Sequence, residues 1–557
     1  MHTDLSPFLP KPRDWFTPEI EHHGWGTAEF VDPAGVVEGP VYIRADGRGS
    51  PRIEMSVSEF SPRENLPLGL LQFLALRVTE TEGAQTTLRF RPDGFNQCTR
   101  LTVETADGTF DSTQCSLAHV QGRLFCPSDH PVVLTFHATR AHFDAKEGGQ
   151  PRYWVLPLQN FLSHFVQHDP KLDEHPLRIF PTPSVPRNLP EQVAAGAHAV
   201  ANSKNRLIVF EFGDDPAFIE ALPDYDRRRE RLLSRQDPTT ITAVMVGTIG
   251  NNRIDTESIL EWLPVDLLPV LGLASGSEVA APWVEIRDAE GNLVRRLHIP
   301  FSVPIFSRGR GATDERLHRG TGALLTQTLR SPYYGTDRLR VTLMHIVRGA
   351  SYSVTLEDGL SHFFRALDGL TRDLKHTKGS SLIDRLQTRR RARARNALRQ
   401  AGNALEALAE EAQQGGEEDE AKTLRRIAHK VRSSPNVPAG FSVRVERLLQ
   451  HFDLPDASIL NSYYKERQVS AGQSWTDLLA ELRGAIMHRG FLELRDGHLA
   501  FEEVWAIWKH VHDILIRIVL KMIGYTGTYQ PAIRDEQVAK PVDWVTPDLP
   551  ATELGYR

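Results

Sequence analysis

The segment LSHFFRALDGLTRDLKH, residues 360–376, marks the point at which the pattern of apolar residues changes along this 557-residue chain. Its apolar residues recur every three or four positions, which is the spacing that places them on one face of an α-helix. The long segments after it keep this spacing, whereas the segments before it are short, strand-like and separated by Gly and Pro. The sequence therefore predicts an α+β protein, in which a β-rich N-terminal region precedes an all-α C-terminal bundle.

Strand-like runs occupy most of the first 350 residues. Two of them, 101–113 and 281–299, contain the turns Ala-Asp-Gly and Ala-Glu-Gly, which are typical of β-hairpins. The other runs are 36–44, 86–92, 130–140, 205–213 and 338–347. Together these signals predict antiparallel sheets in the form of sandwich or barrel lobes.

Proline and glycine suggest where the domains divide. The Pro-rich stretch PTPSVPRNLP at 181–190 divides the β-rich region, either as a boundary or as a crossover within one sensor unit. The expected units are a β-rich N-terminal lobe (1–185), a second β-rich lobe (186–352), an α-helical domain (353–530) and a Pro-rich C-terminal tail (531–557).

Helical spacing predicts the elements of the C-terminal domain. A long helix is expected over 382–414, where Gly415 and Gly416 end it. Further helices are expected over 418–432, 441–452, 475–489 and 501–523. The last of these contains the most apolar stretch, but four charged residues interrupt it. We therefore expect an amphipathic helix packed on a core, and no membrane span.

Charge and cysteine content limit the classes of function. The net charge of −6 is small, so any contact with nucleic acid must come from local basic patches. The three cysteines lack the paired spacing of structural zinc sites, and no segment has the pattern of a signal peptide. We expect a cytoplasmic protein with reduced thiols, no metal and no cofactor.

A basic segment lies within the long predicted helix. Seven arginines and no acid occur between 385 and 399, whereas seven acids and no base occur between 406 and 420. This order is the reverse of the one that the helix dipole favours, and a phosphate backbone would relieve the repulsion. The alternative is that the arginines pair with acids on a neighbouring helix or a partner subunit. The candidate RNA-binding residues are Arg389, Arg390, Arg391, Arg393 and Arg395.

The string ELRGAIMHRG, residues 481–490, places Arg483 and His488 five residues apart near the end of a predicted helix. In a regular α-helix they would lie about 140° apart around the axis, at ~100° per residue. A long arginine side chain, or a kink near Gly484, can close that distance. Arg-then-His strings also occur elsewhere in the chain, at Arg123/His130, Arg340/His345 and Arg444/His451. Only the string at 481–490 lies late in the predicted α-helical domain.

An arginine and a histidine suffice for RNA cleavage without a metal. The 2′-OH attacks the adjacent phosphate, a histidine transfers protons near neutral pH, and a guanidinium stabilises the developing charge. His488 and Arg483 are the candidates for these two roles. The alternative is that both residues are surface or capping residues, as Arg and His near helix ends commonly are.

These features resemble the HEPN ribonucleases, in which Arg, four residues and His stand late in an α-helical domain. The phrase LRGAIMHRG is similar to the HEPN signature, although the family usually has Asn, His or Asp where this chain has Gly484. The family often has an acidic residue in its first helix, and Asp368 is the best match. The HEPN resemblance covers about 355–530, and the two-part layout resembles the ApeA-type antiphage proteins.

The resemblance implies a metal-independent endoribonuclease of antiphage, abortive-infection defence that acts as a homodimer on RNA, with tRNA as one candidate target. The N-terminal region would then sense a phage-derived trigger. The alternative is a non-catalytic RNA- or protein-binding scaffold with a degenerate HEPN domain, which Gly484 favours. An open basic cleft around Arg483 and His488 would indicate the enzyme, whereas burial of either residue in a salt bridge would indicate the scaffold.

Overall fold

The computed structural model describes most of residues 20–57, 81–163, 207–372, 388–454, 475–489 and 501–529, with short gaps inside these ranges. Within them, fourteen strands join into one antiparallel arrangement. The strands are β1 Ile20–Val31, β2 Ala34–Ala45, β3 Pro51–Val57, β4 Thr81–Glu82, β5 Gln85–Leu88, β6 Gln97–Thr105, β7 Gly108–Gln121, β8 Val132–Ala145, β9 Tyr153–Gln159, β10 Leu207–Phe212, β11 Asp215–Ala221, β12 Ile241–Thr248, β13 Trp283–Arg287 and β14 Leu293–His298. The expected tail over 531–557 lies outside the described residues.

Six strands close into a barrel in the order β1-β2-β3-β8-β7-β6. Closure occurs because β8 pairs with β3 on one edge and with β7 on the other. Its apolar core includes Phe110, Phe136 and Phe143, all of which are buried. The predicted hairpin at 101–113 is confirmed as β6 and β7. Its Gly108 is required, because a Cβ there would lie 2.2 Å from the Asp144 carbonyl oxygen.

A second group of strands extends from the barrel in the order β14-β13-β9-β12-β11-β10, through the pairing of β14 with β8. Every residue of β9 is buried, so both faces of this sheet are covered. The predicted hairpin at 281–299 is confirmed as β13 and β14. Their buried Glu285 accepts hydrogen bonds from Arg287 and Arg296, and both guanidinium charges hold its pKa below the usual range.

Of the described helices, two lie between strands in the sequence and the others follow the last strand. The helices are α1 Tyr225–Leu233, α2 Thr256–Ser275, α3 His318–Arg330, α4 Asp337–Gly349, α5 Leu356–Leu370, α6 Thr388–Gln414, α7 Glu418–Ser433, α8 Phe441–His451, α9 Trp475–Gly484, a π-helix Ala485–Arg489 and α10 Phe501–Met522. The helices predicted over 418–432, 441–452 and 501–523 are thereby confirmed. The α+β class is confirmed as well.

One predicted strand, 338–347, is wrong, because these residues lie in α4. The run RLRVTLMHIV fits either period, but Leu339, Leu343 and Ile346 are buried together on one helical face. Thr336 caps the helix by accepting a hydrogen bond from the Leu339 N–H at 3.3 Å. Helices α1 to α4 all lie between 186 and 352, so this part of the chain is mixed α and β, where a β-rich lobe was predicted.

The second sheet and the C-terminal helices share one hydrophobic core. This cluster joins Trp154 of β9 to Phe363 of α5 and Leu515 of α10, whereas the barrel has a core of its own. The Trp508 indole N–H donates to the Gly349 carbonyl at 2.9 Å across the predicted boundary at 352. The described structure therefore has two cores, and the change of pattern near 355 does not separate them.

Helix α2 is, among the described helices, the one long and apolar enough to cross a bilayer. Its most apolar window is 72% buried inside the fold, as in the core helix of a globular protein. Helix α10 packs its apolar stripe into the same core, as predicted for the helix over 501–523.

Burial of His510 in α10 predicts a loss of stability in acid. Burial lowers its pKa to about 3, whereas the unfolded chain binds the proton near pH 6.5. Stability should therefore fall as the pH drops from 6.5 toward 3, by up to about 1.4 kcal/mol per pH unit from this group. In urea unfolding between pH 7 and 5, His510→Gln should flatten this decline. His429→Gln, a change at an exposed residue of α7, should leave it unaltered. If the free energy of unfolding depends on pH equally in both variants, the decline in acid is not caused by His510.

Candidate active site

Asp368, near the end of α5, is the residue around which the candidate site is built. Helix α5 begins after Thr355, whose side chain accepts from the Asp358 N–H at 3.2 Å. Arg483 of α9 donates to Asp368 Oδ2 from Nε at 3.0 Å and from Nη2 at 2.7 Å. The structure thus brings together two of the three residues predicted to be catalytic, 115 positions apart in sequence.

A second arginine, Arg444 of α8, completes the cluster and was not predicted. Its Nη2 donates to Asp368 Oδ1 at 3.0 Å and its Nη1 donates to Thr371 Oγ1 at 2.9 Å. In the sequence, Arg444 lies on the apolar face of its helix, three residues after Phe441 and four before Leu448. A charged residue in such a stripe indicates a buried partner, and this signal could have identified it.

The cluster carries excess positive charge at a partly open position. Two guanidinium groups share one carboxylate, and both lie over the Phe441 ring, with Cζ to centroid distances of 5.2 Å for Arg483 and 5.8 Å for Arg444. The Arg444 side chain is 8% exposed, whereas those of Arg483 and Asp368 are 26% and 24% exposed. Among the described residues, none accepts a hydrogen bond from Arg483 Nη1. Arg444 is therefore the structural member, and Arg483 retains donors for an anion.

The helix that carries Arg483 changes its winding directly after Gly484. Residues Ala485–Arg489 form a π-helix, in which each N–H pairs with the carbonyl five residues earlier. Residues five apart therefore lie nearly above one another, as residues four apart do in an α-helix. The π-turn reduces the separation of about 140° that a regular α-helix would give, because its wider winding brings position 488 toward the face that carries position 483.

His488 lies in this π-helix, but its side chain is outside the described part of the structure. The neighbouring Met487 is described, and its Sδ accepts a hydrogen bond from Ser361 Oγ of α5 at 3.5 Å. The π-helix therefore packs beside the same helix that carries Asp368. The two catalytic candidates on this segment, Arg483 and His488, both belong to elements that contact α5.

Gly484 lies at the junction of α9 and the π-helix, and the space beside it is open. A Cβ at this position meets no atom within 4 Å. We therefore expect Gly484→Ala to stabilise the protein by up to about 1 kcal/mol, which is the helix-propensity difference between the two residues. Urea unfolding measures the change. A loss of stability would instead show that glycine is needed for the transition from α- to π-winding.

The Arg-rich segment lies in the first half of α6. Helix α7 runs antiparallel to the second half of α6, since Arg432 pairs with Glu406 and donates to Asn403 Oδ1 at 3.0 Å, and Arg425 donates to Gln413. The predicted RNA-binding arginines end eight residues before Asn403, which is about 12 Å along the axis. They therefore extend past the end of α7, and its acids, which lie in its first turn, do not pair with them.

Four of the five candidate arginines, Arg389, Arg390, Arg393 and Arg395, are exposed, and Arg391 is half-buried. Arg391 and Arg395 each interact with other parts of the chain. The site at Asp368 and the arginines of α6 are thus two separate basic features. Among the described contacts, none joins them.

Within the described residues, no group of three or more His, Cys, Asp or Glu is placed to hold a metal ion. The chain matches no family model, no curated protein and no solved structure. The class of protein must therefore be inferred from the site itself.

Proposed function

We propose that this protein is a cytoplasmic, metal-independent endoribonuclease of the HEPN type that acts in antiphage defence. The observation that carries the proposal is the half-exposed Arg483, held by Asp368 beside a π-helix that contains His488. Asp368 fixes the guanidinium, Arg444 keeps the cluster net positive, and the π-turn brings position 488 toward the Arg483 face. Such an arrangement would set a fixed cation near one of the two proton-transfer groups that cleavage by the 2′-OH requires.

In the proposed reaction the 2′-oxygen of RNA bonds to the adjacent phosphorus as its proton passes to a base, and the 5′-oxygen leaves as it receives a proton. The products are a 2′,3′-cyclic phosphate and a 5′-OH. His488 performs a proton transfer, and Arg483 stabilises the charge on the phosphoryl oxygens. A second copy of the chain, facing the first in a homodimer, would supply the other proton-transfer group.

The shared core supports a regulatory role for the N-terminal region. Helix α3 packs against β10, where the Thr326 Oγ1 accepts from the Glu211 N–H at 3.0 Å, and the Tyr525 hydroxyl after α10 donates to the Gly320 carbonyl at 3.5 Å. A trigger bound by the sheet region could thus change the helices directly. We propose that a phage-derived component is this trigger.

The proposal is tested in cells by inducing expression of the wild type and of Arg483→Ala. We expect the wild type to arrest growth and to leave discrete fragments of RNA, tRNA among them, on a gel of total RNA. Arg483→Ala at equal protein level should do neither. Growth arrest by both proteins would contradict the assignment of Arg483.

The arginines of α6 are proposed to hold the RNA backbone. Replacing Arg389, Arg390 and Arg393 by glutamine should lower the slope of log affinity against log salt by about 2, at ~0.7 per phosphate contact with a single strand. Fluorescence anisotropy with an uncleavable 2′-O-methyl oligonucleotide measures the slope. The matched control replaces Lys422, Arg425 and Arg426 of α7, which removes the same charge beside the acids of α6. If both triple variants lower the salt slope by the same amount, the arginines of α6 have no specific role in binding RNA.

A non-catalytic scaffold remains the second candidate, because Arg483 is ion-paired with Asp368 and glycine follows it. A scaffold would bind the same uncleavable oligonucleotide as the enzyme does. It would leave ordinary RNA intact.

A further inference from the structure

Two histidines on adjacent helices form a pair that the proposed reaction does not use. His345 of α4 and His362 of α5 approach within 3.0 Å between their Nδ1 atoms, with ring centroids 5.2 Å apart. Such a contact needs a proton on one Nδ1 only, because two N–H groups cannot hydrogen-bond to each other. The ring that accepts at Nδ1 then carries its proton on Nε2. The pair therefore offers one further N–H donor.

Two arginines surround this pair. The pKa of His345 is lowered to about 4, mainly by burial and then, in decreasing order, by the nearby His362, Arg365 and Arg348. The pKa of His362 is lowered by burial and by the same arginines, while Asp358 and Glu278 oppose the shift. Glu278 is itself engaged, because it accepts from Arg348 Nε at 2.5 Å. Burial and the nearby positive charges thus both oppose a proton on this pair, and the guanidinium groups attract an anion.

Arg365 is the most available of these groups. It is exposed, and no described residue hydrogen-bonds or ion-pairs with its guanidinium. It lies four residues after Ser361 and three before Asp368, so these three residues share one face of α5. Ser361 contacts the π-helix and Asp368 contacts Arg483, so Arg365 lies between the two contacts that α5 makes with the candidate catalytic segment.

The distances fit a chain of phosphates. His362 and Asp368 are six residues apart on α5, which is about 9 Å along the axis. Arg365 lies midway between them. An RNA strand with one phosphate at Arg483 can therefore present a neighbouring phosphate to Arg365 and the histidine pair.

We propose that Arg365, His345 and His362 form a second phosphate-binding subsite, which holds the phosphodiester next to the one that is cleaved. This subsite rests on the proposed ribonuclease function and defines its ligand as a polynucleotide with at least two phosphates. The Arg365 guanidinium and the imidazole Nε2–H donate to the phosphate oxygens. The subsite positions RNA and takes no part in the bond changes.

The test is equilibrium binding of a fluorescent 2′-O-methyl oligonucleotide to the full-length protein. Arg365→Gln should weaken binding at least fivefold and reduce the salt slope by about 0.7, as expected for one lost phosphate contact on a single strand. His362→Gln should weaken binding by a smaller factor. Arg52→Gln, a change at a 57%-exposed arginine on the barrel, is the charge-matched control and should bind as the wild type does.

Arg365 is exposed, so Arg365→Gln should unfold at the wild-type temperature, which confirms that binding alone is altered. If Arg365→Gln binds as tightly and with the same salt slope as Arg52→Gln, the subsite does not exist. It is equally overturned if the wild type does not bind the oligonucleotide. A 2′-O-methyl strand cannot be cleaved through its 2′-oxygen. The result is therefore separate from the ribonuclease claim, which is tested by comparing RNA cleavage by the wild type and by His488→Ala.

Discussion

Arg483→Lys is expected to lower the rate of RNA cleavage at least a hundredfold, although the charge is retained. Lysine has no planar pair of donors, so it cannot bind Asp368 through two N–H groups and also present donors to a phosphate. Loss of one preorganised donor to a transition-state oxyanion commonly reduces a rate by roughly 10²–10³-fold. The initial rate of cleavage of a fluorescent RNA in EDTA measures the effect.

Arg444→Lys is the matched control, because Arg444 binds the other oxygen of the same carboxylate and is nearly buried. We expect it to lower the urea midpoint and to leave the cleavage rate of the remaining folded protein within a few-fold of the wild type. If the two lysine variants lose equal activity, Arg483 has no role beyond the ion pair. The scaffold would then be favoured.

Asp368→Asn is expected to have the largest effect on stability, a loss of roughly 3 kcal/mol in the free energy of unfolding. The neutral amide leaves two guanidinium groups side by side, one of them in a position that is 8% exposed. Urea unfolding followed by tryptophan fluorescence measures the loss.

Asp358→Asn is the control for Asp368→Asn, since Asp358 is an exposed acid in the first turn of the same helix. This change should lower the free energy of unfolding by no more than about 1 kcal/mol, because it removes a favourable interaction between the acid and the helix dipole. A similarly small loss in the free energy of unfolding for Asp368→Asn would show that the cluster is a surface ion pair that contributes little to stability.

The C-terminal helices could be predicted because their signals are local. Gly415 and Gly416 end α6, with Gly416 at a φ of 83°, and the apolar stripes of α8 and α10 are regular. Asp368 and Arg483 were both predicted, and the structure adds the contact between them. Their contact depends on how α5 and α9 pack, which no local pattern encodes.

Other features depend on long-range contacts. RLRVTLMHIV fits a strand as well as a helix, and only its Thr336 cap and its burial against α2 and α5 decide in favour of α4. Closure of the barrel requires β8 to pair with two distant strands. The π-helix has no sequence signature beyond Gly484, and the pair of His345 and His362 joins residues 17 positions apart on separate helices.

The most direct measurement of the central claim is the cleavage of RNA by the purified full-length protein in EDTA, with the ends of the products identified by mass spectrometry. The wild type should yield fragments with 2′,3′-cyclic phosphate and 5′-OH ends, and His488→Ala should yield none above background. Equal cleavage by the two proteins, or fragments with 5′-phosphate ends, would contradict the assignment of this protein as a ribonuclease that acts through Arg483 and His488.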